Sequence, residues 1–260
     1  MTGLITAYQN ITTNQTRSLQ QISSQPAAAR EIAYFKAHIA SVKSIDDFVG
    51  NTRLLNFALQ AYGLKDMAFA KAFIKKALSE GVSSRNAFAM KLSDQRFRQF
   101  VSAFNFAALG NATTASVNLQ KTTVAKYSES LLEEQAGTQS EGLRLALNFR
   151  AKISTVTSVF GILGDAALYQ VVRTTLGLPQ ALSAIDIDKQ AALINGKFNL
   201  ADMKDPAKSD KFVTRFLAMY DMQNGDAVQS SPAVAVGAGS TGGVDVGTLL
   251  ALQSIKRFGA

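Results

Sequence analysis

The chain of 260 residues contains no cysteine, no tryptophan and a single histidine, His38. Without cysteine it can form no disulfide, thiolate nucleophile or cysteine-based zinc site, and nothing in it could cross-link wrongly during export. One imidazole makes a histidine-based zinc site hard to build, and a serine–histidine triad would depend on His38 alone. Because His38 stands beside Ala37 and Ile39 in a helical pattern, we expect it to be a structural histidine.

Proline and long apolar runs are also scarce. There are only four prolines, and no apolar run approaches the roughly 18 residues that a membrane helix needs. The first residues, MTGLITAYQNITTNQTRS, lack a basic start followed by an apolar stretch, so we expect no Sec-type signal peptide. With 47% hydrophobic residues and 16 phenylalanines, the chain can bury a core. The composition and the hydrophobic spacing predict an all-α, multi-helical globular protein.

The net charge of +8 lies entirely in the first half of the chain. Residues 1–130 carry 15 Lys and Arg against 7 Asp and Glu, whereas residues 131–260 carry 12 of each kind. A basic half could meet nucleic acid, an acidic membrane or an acidic partner. The densest groups are Lys71, Lys75 and Lys76 on one helix and Arg96 and Arg98 on another. They form no arginine-rich run, so we interpret them as solvated helix faces and expect no nucleic-acid partner.

A weak internal repeat is the most informative pattern. Residues 44–64, SIDDFVGNTRLLNFALQAYGL, align without gaps with residues 158–178, SVFGILGDAALYQVVRTTLGL, at an offset of 114. The two segments share a serine, two glycines and two leucines at matching positions. Residues 100–104, FVSAF, align with residues 216–220, FLAMY, at an offset of 116. Two matches in the same order predict two related helical units near 44–110 and 158–222. Repeated helical units usually build scaffolds rather than catalytic clefts.

Helical spacing and the breaks between segments predict the individual helices. Ser44 and Asp47 form a plausible capping pair, and Phe97, Phe100 and Phe104 form one inward-facing stripe. The first predicted helix, 3–24, has a polar break at Gln15, and the second begins at Pro26. A long hairpin is predicted from helices 114–136 and 138–158, with its turn at Gly137. The other predicted helices are 44–62, 65–80, 85–92, 94–110, 165–176, Pro179 to Asn195, Pro206 to Met222, and an apolar helix near the C-terminus.

These elements predict six segments along the chain. They are an N-terminal helical arm (1–25), a first helical unit (26–112), a helical hairpin (113–157), a second helical unit (158–223), a flexible Gly/Ala/Ser-rich linker (224–243) and a C-terminal helix (244–260). The amphipathic helices at the two ends would flank a compact middle.

One motif has the spacing of a nucleotide-binding loop. Residues 237–242, GAGSTG, match the pattern GxGxxG. A dinucleotide site also needs a second strand with an acidic residue about 20 positions further on. Only 18 residues follow Gly242, so we interpret the motif as a flexible loop. No phosphate loop of the type GxxxxGK[ST] occurs.

Acidic pairs give no better candidate for a catalytic or metal site. The pairs are Asp46/Asp47, Glu133/Glu134, Asp186/Asp188 and Asp221/Asp226. Adjacent carboxylates point apart on a helix, and the two aspartate pairs that begin like calcium loops lack the spacing and the closing glutamate. We therefore interpret them as helix caps and solvated charges, and we expect no catalytic residue, no metal and no cofactor.

The first unit resembles a known bacterial family, the domain of unknown function 1217. The resemblance covers roughly residues 30–150 and lies in RLLNFAL (53–59), AYGL (61–64), AKAFIKKAL (70–78), EGV (80–82), KLSDQRF (91–97) and FNF (104–106). The family has no assigned activity, so the resemblance implies no catalytic residues. Its members are often encoded beside flagellar genes, which implies a role in motility. The second unit departs from the family pattern.

Two classes of function remain open. The first is a non-enzymatic structural or assembly protein of the flagellum, which pairs its terminal helices with other flagellar components. The second is a cytoplasmic helical module, such as an export chaperone or a motility regulator, that binds a peptide between its helices. Ordered termini packed on the core would favour the second class, whereas termini that order only with partners would favour the first.

Overall fold

The computed structural model of the protein describes residues 3–92 and 94–224. Throughout these residues the secondary structure is helical and no strand is present, which confirms the all-α prediction. None of the described helices is both long enough and apolar enough to cross a membrane.

The helices are short apart from two. The α-helices are α1 (Gly3–Thr13), α2 (Gln15–Ser24), α3 (Pro26–His38), α4 (Ile45–Gly50), α5 (Thr52–Ala61), α6 (Lys71–Glu80), α7 (Phe88–Lys91), α8 (Gln95–Ala103), α9 (Phe106–Leu109), α10 (Ala112–Ala115), α11 (Val117–Gln139), α12 (Glu141–Lys152), α13 (Val159–Leu163), α14 (Ala166–Thr175), α15 (Ile187–Asn195) and α16 (Pro206–Asn224). Turns of 3-10 helix lie at Ile39–Ser41, Lys65–Met67, Ile153–Thr155, Gln180–Ala184 and Leu200–Lys204.

The buried side chains form two separate hydrophobic cores. The first core takes its residues from α3 to α9 and from the first half of α11, and it is rich in aromatic rings. The second core takes its residues from α1, the end of α11 and α12 to α16. The long helix α11 therefore contributes to both cores and joins them. It packs along α5 on one side and antiparallel to α12 on the other.

The predicted phenylalanine stripe is a central part of the first core. Phe100 and Phe104 are fully buried and Phe97 is 5% exposed, which confirms the inward-facing prediction. The ring of Phe104 stacks on that of Phe48 with a centroid separation of 4.9 Å. The edge of Tyr62 meets Phe100 at 5.8 Å. Aromatic pairs at such distances contribute about 0.5–1.5 kcal/mol each beyond the area that they bury.

The order of helices in residues 26–64 recurs 114 positions later. The turn Ile39–Ser41 corresponds to Ile153–Thr155, and α5 corresponds to α14, residue for residue at that offset. Helices α3 and α12 also correspond, and α3 packs on α5 as α12 packs on α14. The weak sequence match therefore coincides with a repeated order and pairing of helices. The six-segment division of the chain stays a prediction.

The residues shared by the two repeats make the same local hydrogen bonds. Ser44 caps α4 and Ser158 caps α13, because each serine hydroxyl accepts a backbone N–H three residues ahead. Gly63 and Gly177 end α5 and α14 with φ of 70° and 65°. Only glycine adopts such angles without strain, which makes it the usual residue after a helix end. Caps and terminators thus explain which residues the repeat retains.

Several predicted helix boundaries were wrong. The hairpin turns at Ser140 rather than at Gly137, which lies inside α11, because the Ser140 hydroxyl accepts the Gly142 N–H and begins α12. The 94–110 segment is split at Phe104 and Asn105 into α8 and α9. In each case a capping side chain, Ser140 or Asn105, starts a new helix at a position other than the glycine that we took as the boundary.

Two further predicted helices are also interrupted. The 65–80 segment is a 3-10 turn followed by α6, and the helix predicted from Pro179 to Asn195 is a 3-10 turn followed by α15. The side chain of Asp186 accepts the N–H groups of Asp188 and Lys189 and caps α15. The predicted linker (224–243), apart from Asn224, and the predicted C-terminal helix (244–260) lie outside the described residues.

Candidate functional site

The structure accounts for most of the acidic pairs and for the histidine as local structure. The His38 ring stacks on Tyr34 at 4.1 Å and its Nδ1 lies 2.8 Å from the Tyr34 carbonyl oxygen. Asp47 accepts the Lys43 N–H, and Asp46 pairs with Lys75 at 2.6 Å. The GAGSTG motif and Asp226 lie outside the described residues.

The two arginines of α8 are not on a solvated face, so that interpretation was wrong. Both are half-buried. The guanidinium of Arg96 donates to both carboxylate oxygens of Asp94 and to the Gly63 carbonyl. Burial alone would raise the pKa of the Asp94 carboxyl, but the hydrogen bonds and charge of Arg96 hold it below its usual value. Arg98 donates to the Met90 carbonyl, and its Nε is buried without a partner among the described residues.

A charged cleft of about 880 Å³ opens between the two cores. Its walls come from α5 and the start of α8 on the first core, from α12 and α14 on the second, and from α11 between them. Ion pairs cross or line it, including Lys65 with Glu134 at 3.1 Å and Lys152 with Asp165 at 2.9 Å. A smaller cavity of about 270 Å³ lies beside it, where α11 and α12 meet α1 and α16. We call the larger space the α11 cleft.

Two carboxylates one turn apart on α11, Glu129 and Glu133, line both spaces. Residues at this spacing lie on the same helix face. The Asn148 side chain of α12 donates its Nδ2–H to Glu133 Oε2 at 2.8 Å. Glu134 lies on a different side and accepts from Gln60 and Lys65. The adjacent pair Glu133/Glu134 therefore does point apart, and the pair that comes together is Glu129 with Glu133.

Both carboxyl groups of the pair have a raised pKa. For Glu129 the cause is burial, opposed by the charge of Lys126. For Glu133 the cause is again burial, reinforced by the charge of Glu129 and opposed by the Asn148 hydrogen bond and by the charges of Lys152 and Arg144. Burial disfavours the ionised form of a carboxyl group. Perturbed carboxyl groups in a cleft are typical of functional sites.

We predict that Glu133→Gln stabilises the protein at neutral pH. A raised folded-state pKa means that the folded state holds the proton more tightly than the unfolded state does. The stability from Glu133 is therefore complete below the ordinary carboxyl pKa and is lost as pH rises through the raised value. The glutamine variant lacks this loss. Denaturant unfolding of both proteins from acidic to neutral pH should show its advantage grow with pH.

The control is Glu134→Gln, which removes a charge from the neighbouring position. Glu134 pairs with Lys65 on an exposed face, and such pairs contribute only about 0–1 kcal/mol. A stability advantage of Glu133→Gln that is flat with pH, or one that Glu134→Gln reproduces, would show that burial of the Glu133 carboxylate carries no cost.

The fold defines a class of protein before any family is considered: an all-helical scaffold of two cores joined by a shared helix. The chain belongs to the family described as "Protein of unknown function (DUF1217)", whose profile matches residues 61–209. The match begins later than the expected 30–150 and extends through α15 into the second core. The expectation that the second unit departs from the family pattern was therefore wrong.

Among solved structures, the chain is similar to the X-ray crystal structure of protein AGR_C_984 from Agrobacterium tumefaciens. The two chains are 47% identical, the TM-score is 0.79, and the match covers 84% of this chain and 93% of the other. No curated protein matches this chain.

Proposed function

We propose that the protein is a non-enzymatic helical module of the flagellar system that binds a segment of a flagellar protein in the α11 cleft. The cleft itself supports a binding role, because it lies where elements of both cores meet along one shared helix. Charged side chains and two half-buried carboxylates line it, which suits recognition of a protein segment. The flagellar link comes from the resemblance to a family often encoded beside flagellar genes.

Of the two classes that the sequence left open, the packing of the first helices favours the peptide-binding module. Leu4 and Tyr8 of α1 are 2% and 1% exposed and belong to the second core, and Ile22 of α2 is 4% exposed. A helix that already buries its apolar face in its own chain has no such face left for another subunit. A structural role that depends on pairing the N-terminal helix is therefore the weaker proposal.

The test is site-specific photo-crosslinking in living cells, combined with a swimming assay. We expect a photoreactive residue at Gln99, which is exposed and lines the α11 cleft, to capture a flagellar component. The same residue at Asn86, which is exposed but does not line the cleft, should not capture it. We also expect a strain that lacks the protein to swim poorly. Normal swimming of that strain would refute the flagellar role, and equal capture from both positions would refute the cleft as the binding site.

A further inference from the structure

Glu129 and Glu133 leave several oxygen acceptors without donors. Glu129 makes no hydrogen bond or ion pair with any described residue. Glu133 receives one hydrogen bond, from Asn148 to Oε2, and its Oε1 receives none from the described chain. Ionised carboxylates can accept about four hydrogen bonds each. The pair therefore offers unused acceptor capacity at a half-buried position, where an unpaired charge is costly.

Two further buried polar atoms beside this pair also lack partners. Asn148 is 7% exposed and lines the α11 cleft, and its Oδ1 makes no hydrogen bond within the described residues. Ser209 is 4% exposed and lines the smaller cavity with both glutamates, and its Oγ is likewise unpaired there. Native proteins leave few buried polar atoms unsatisfied, so each one calls for an explanation. Here one unsatisfied atom lies on each side of the glutamate pair, because Glu129 and Glu133 line both spaces.

The nearby cations make no hydrogen bond or ion pair with these acceptors among the described residues. Lys204, which lines the smaller cavity, is exposed, and the others have another contact. Lys152 pairs with Asp165 at 2.9 Å, Arg150 pairs with Asp210 at 3.1 Å, Arg144 pairs with Glu141, and the Lys126 ammonium lies 5.5 Å from the centre of the Tyr62 ring. Within the part of the chain that the structure describes, two carboxylates and two neutral acceptors therefore have no cation in hydrogen-bonding contact with them.

We propose that the place where the α11 cleft adjoins the smaller cavity receives the guanidinium group of an arginine from a protein partner, held between Glu129 and Glu133. This inference rests on the proposed binding role of the α11 cleft and names the chemistry of the partner. A guanidinium carries five N–H donors and no acceptor, which complements a set of oxygen acceptors. Its planar fork bonds carboxylates in pairs. A further unpaired acceptor lies on either side of the pair, the Asn148 Oδ1 in the α11 cleft and the Ser209 hydroxyl in the smaller cavity.

An arginine fits the site better than a divalent metal ion does. The Asn148 Nδ2–H points at Glu133 and would face the metal as a donor. The charges of Lys152 and Arg144 also reach Glu133, and they repel a dication more strongly than a monovalent guanidinium. Among the described residues, no group of three or more potential metal-ligating His, Cys, Asp or Glu side chains is present.

The test is an NMR titration of the full chain with N-acetyl-arginine amide. We expect saturable shifts of the Asn148 side-chain amide and of the Glu129 and Glu133 carboxyl carbons. N-acetyl-citrulline amide has the same shape without the charge and should cause no such shifts. In Glu129→Gln and Glu133→Gln, binding should weaken by about tenfold or more, because each change replaces a charged acceptor. Glu31→Gln, which changes a glutamate that lines neither the α11 cleft nor the smaller cavity, should bind as the parent protein does.

The proposal is overturned if the arginine probe causes no saturable shift, if citrulline amide shifts the same groups equally, or if Glu31→Gln weakens binding as much as the other two variants. A swimming assay of the Glu129→Gln/Glu133→Gln strain separates this inference from the flagellar role. Binding of the probe with normal swimming would support the arginine site and count against its use in motility. Impaired swimming without probe binding would leave the flagellar role and refute the arginine site.

Discussion

Phe100→Ala is expected to lower the free energy of unfolding by about 3–5 kcal/mol, the usual cost of truncating a buried aromatic residue. Phe100 is fully buried in the first core. It contacts Phe48, Tyr62 and Phe104, with ring centroids 6.4, 5.8 and 5.1 Å away. Three large neighbours held by separate helices cannot all move into the space left by one ring. The change therefore leaves a cavity as well as losing the burial of the side chain.

Chemical denaturation followed by circular dichroism measures this cost. The matched control is Phe69→Ala, since Phe69 is 82% exposed and its truncation should change stability by less than about 0.5 kcal/mol. Because the chain has two cores, coincident transitions in circular dichroism and tyrosine fluorescence are needed before one free energy is assigned. A loss below about 1 kcal/mol for Phe100→Ala would mean that the core closes around the missing ring.

The sequence predicts the features that depend on a few neighbouring residues. The Phe97, Phe100 and Phe104 stripe was correct because helical spacing alone decides which side chains share a face. Gly63 and Gly177 were correctly placed at helix ends because a left-handed residue there strongly favours glycine. The 114-residue repeat was visible because such caps and terminators tolerate few substitutions.

The helix boundaries that were predicted wrongly depend on competition between signals. Gly137 was taken as a turn, but a glycine inside a long helix costs only about 1 kcal/mol, and packing of α11 on both cores outweighs that cost. Ser140, three residues later, makes the capping bond that begins α12. The sequence contains both signals, and only the tertiary contacts decide between them.

The candidate site could not be predicted, because it depends on burial that no local pattern reveals. We considered Glu133 only as the neighbour of Glu134. The spacing of Glu129 and Glu133 does place them on one face of a helix, and this signal was overlooked. Asn148 comes from α12, the next helix along the chain, whereas Ser209 comes from α16, which lies far from α11 in sequence and is placed there only by packing.

Tyr8→Ala is expected to destabilise the protein by about 3–5 kcal/mol, although Tyr8 lies in the segment that the sequence predicts to be an arm. The ring is 1% exposed in the second core. Its hydroxyl donates to Asp210 Oδ1 at 2.7 Å, and Asp210 also pairs with Arg150 at 3.1 Å. The truncation removes a buried ring and one partner of a linked polar group. Gln9→Ala, at an exposed position of the same helix, should be close to neutral.

The comparison of Tyr8→Ala with Gln9→Ala tests whether the N-terminal helices belong to the core or serve as an assembly arm. If residues 1–24 served only in assembly, removing them or truncating Tyr8 would leave the melting temperature unchanged and impair swimming. The burial of Leu4, Tyr8 and Ile22 instead predicts that both changes lower the melting temperature, whereas Gln9→Ala alters neither melting nor swimming. Tyr8→Phe keeps the ring and should lose only the charged hydrogen bond, about 1.5–3 kcal/mol. An unchanged melting temperature of Tyr8→Ala would restore the assembly-arm hypothesis, because a helix that can be lost without cost is available to a partner.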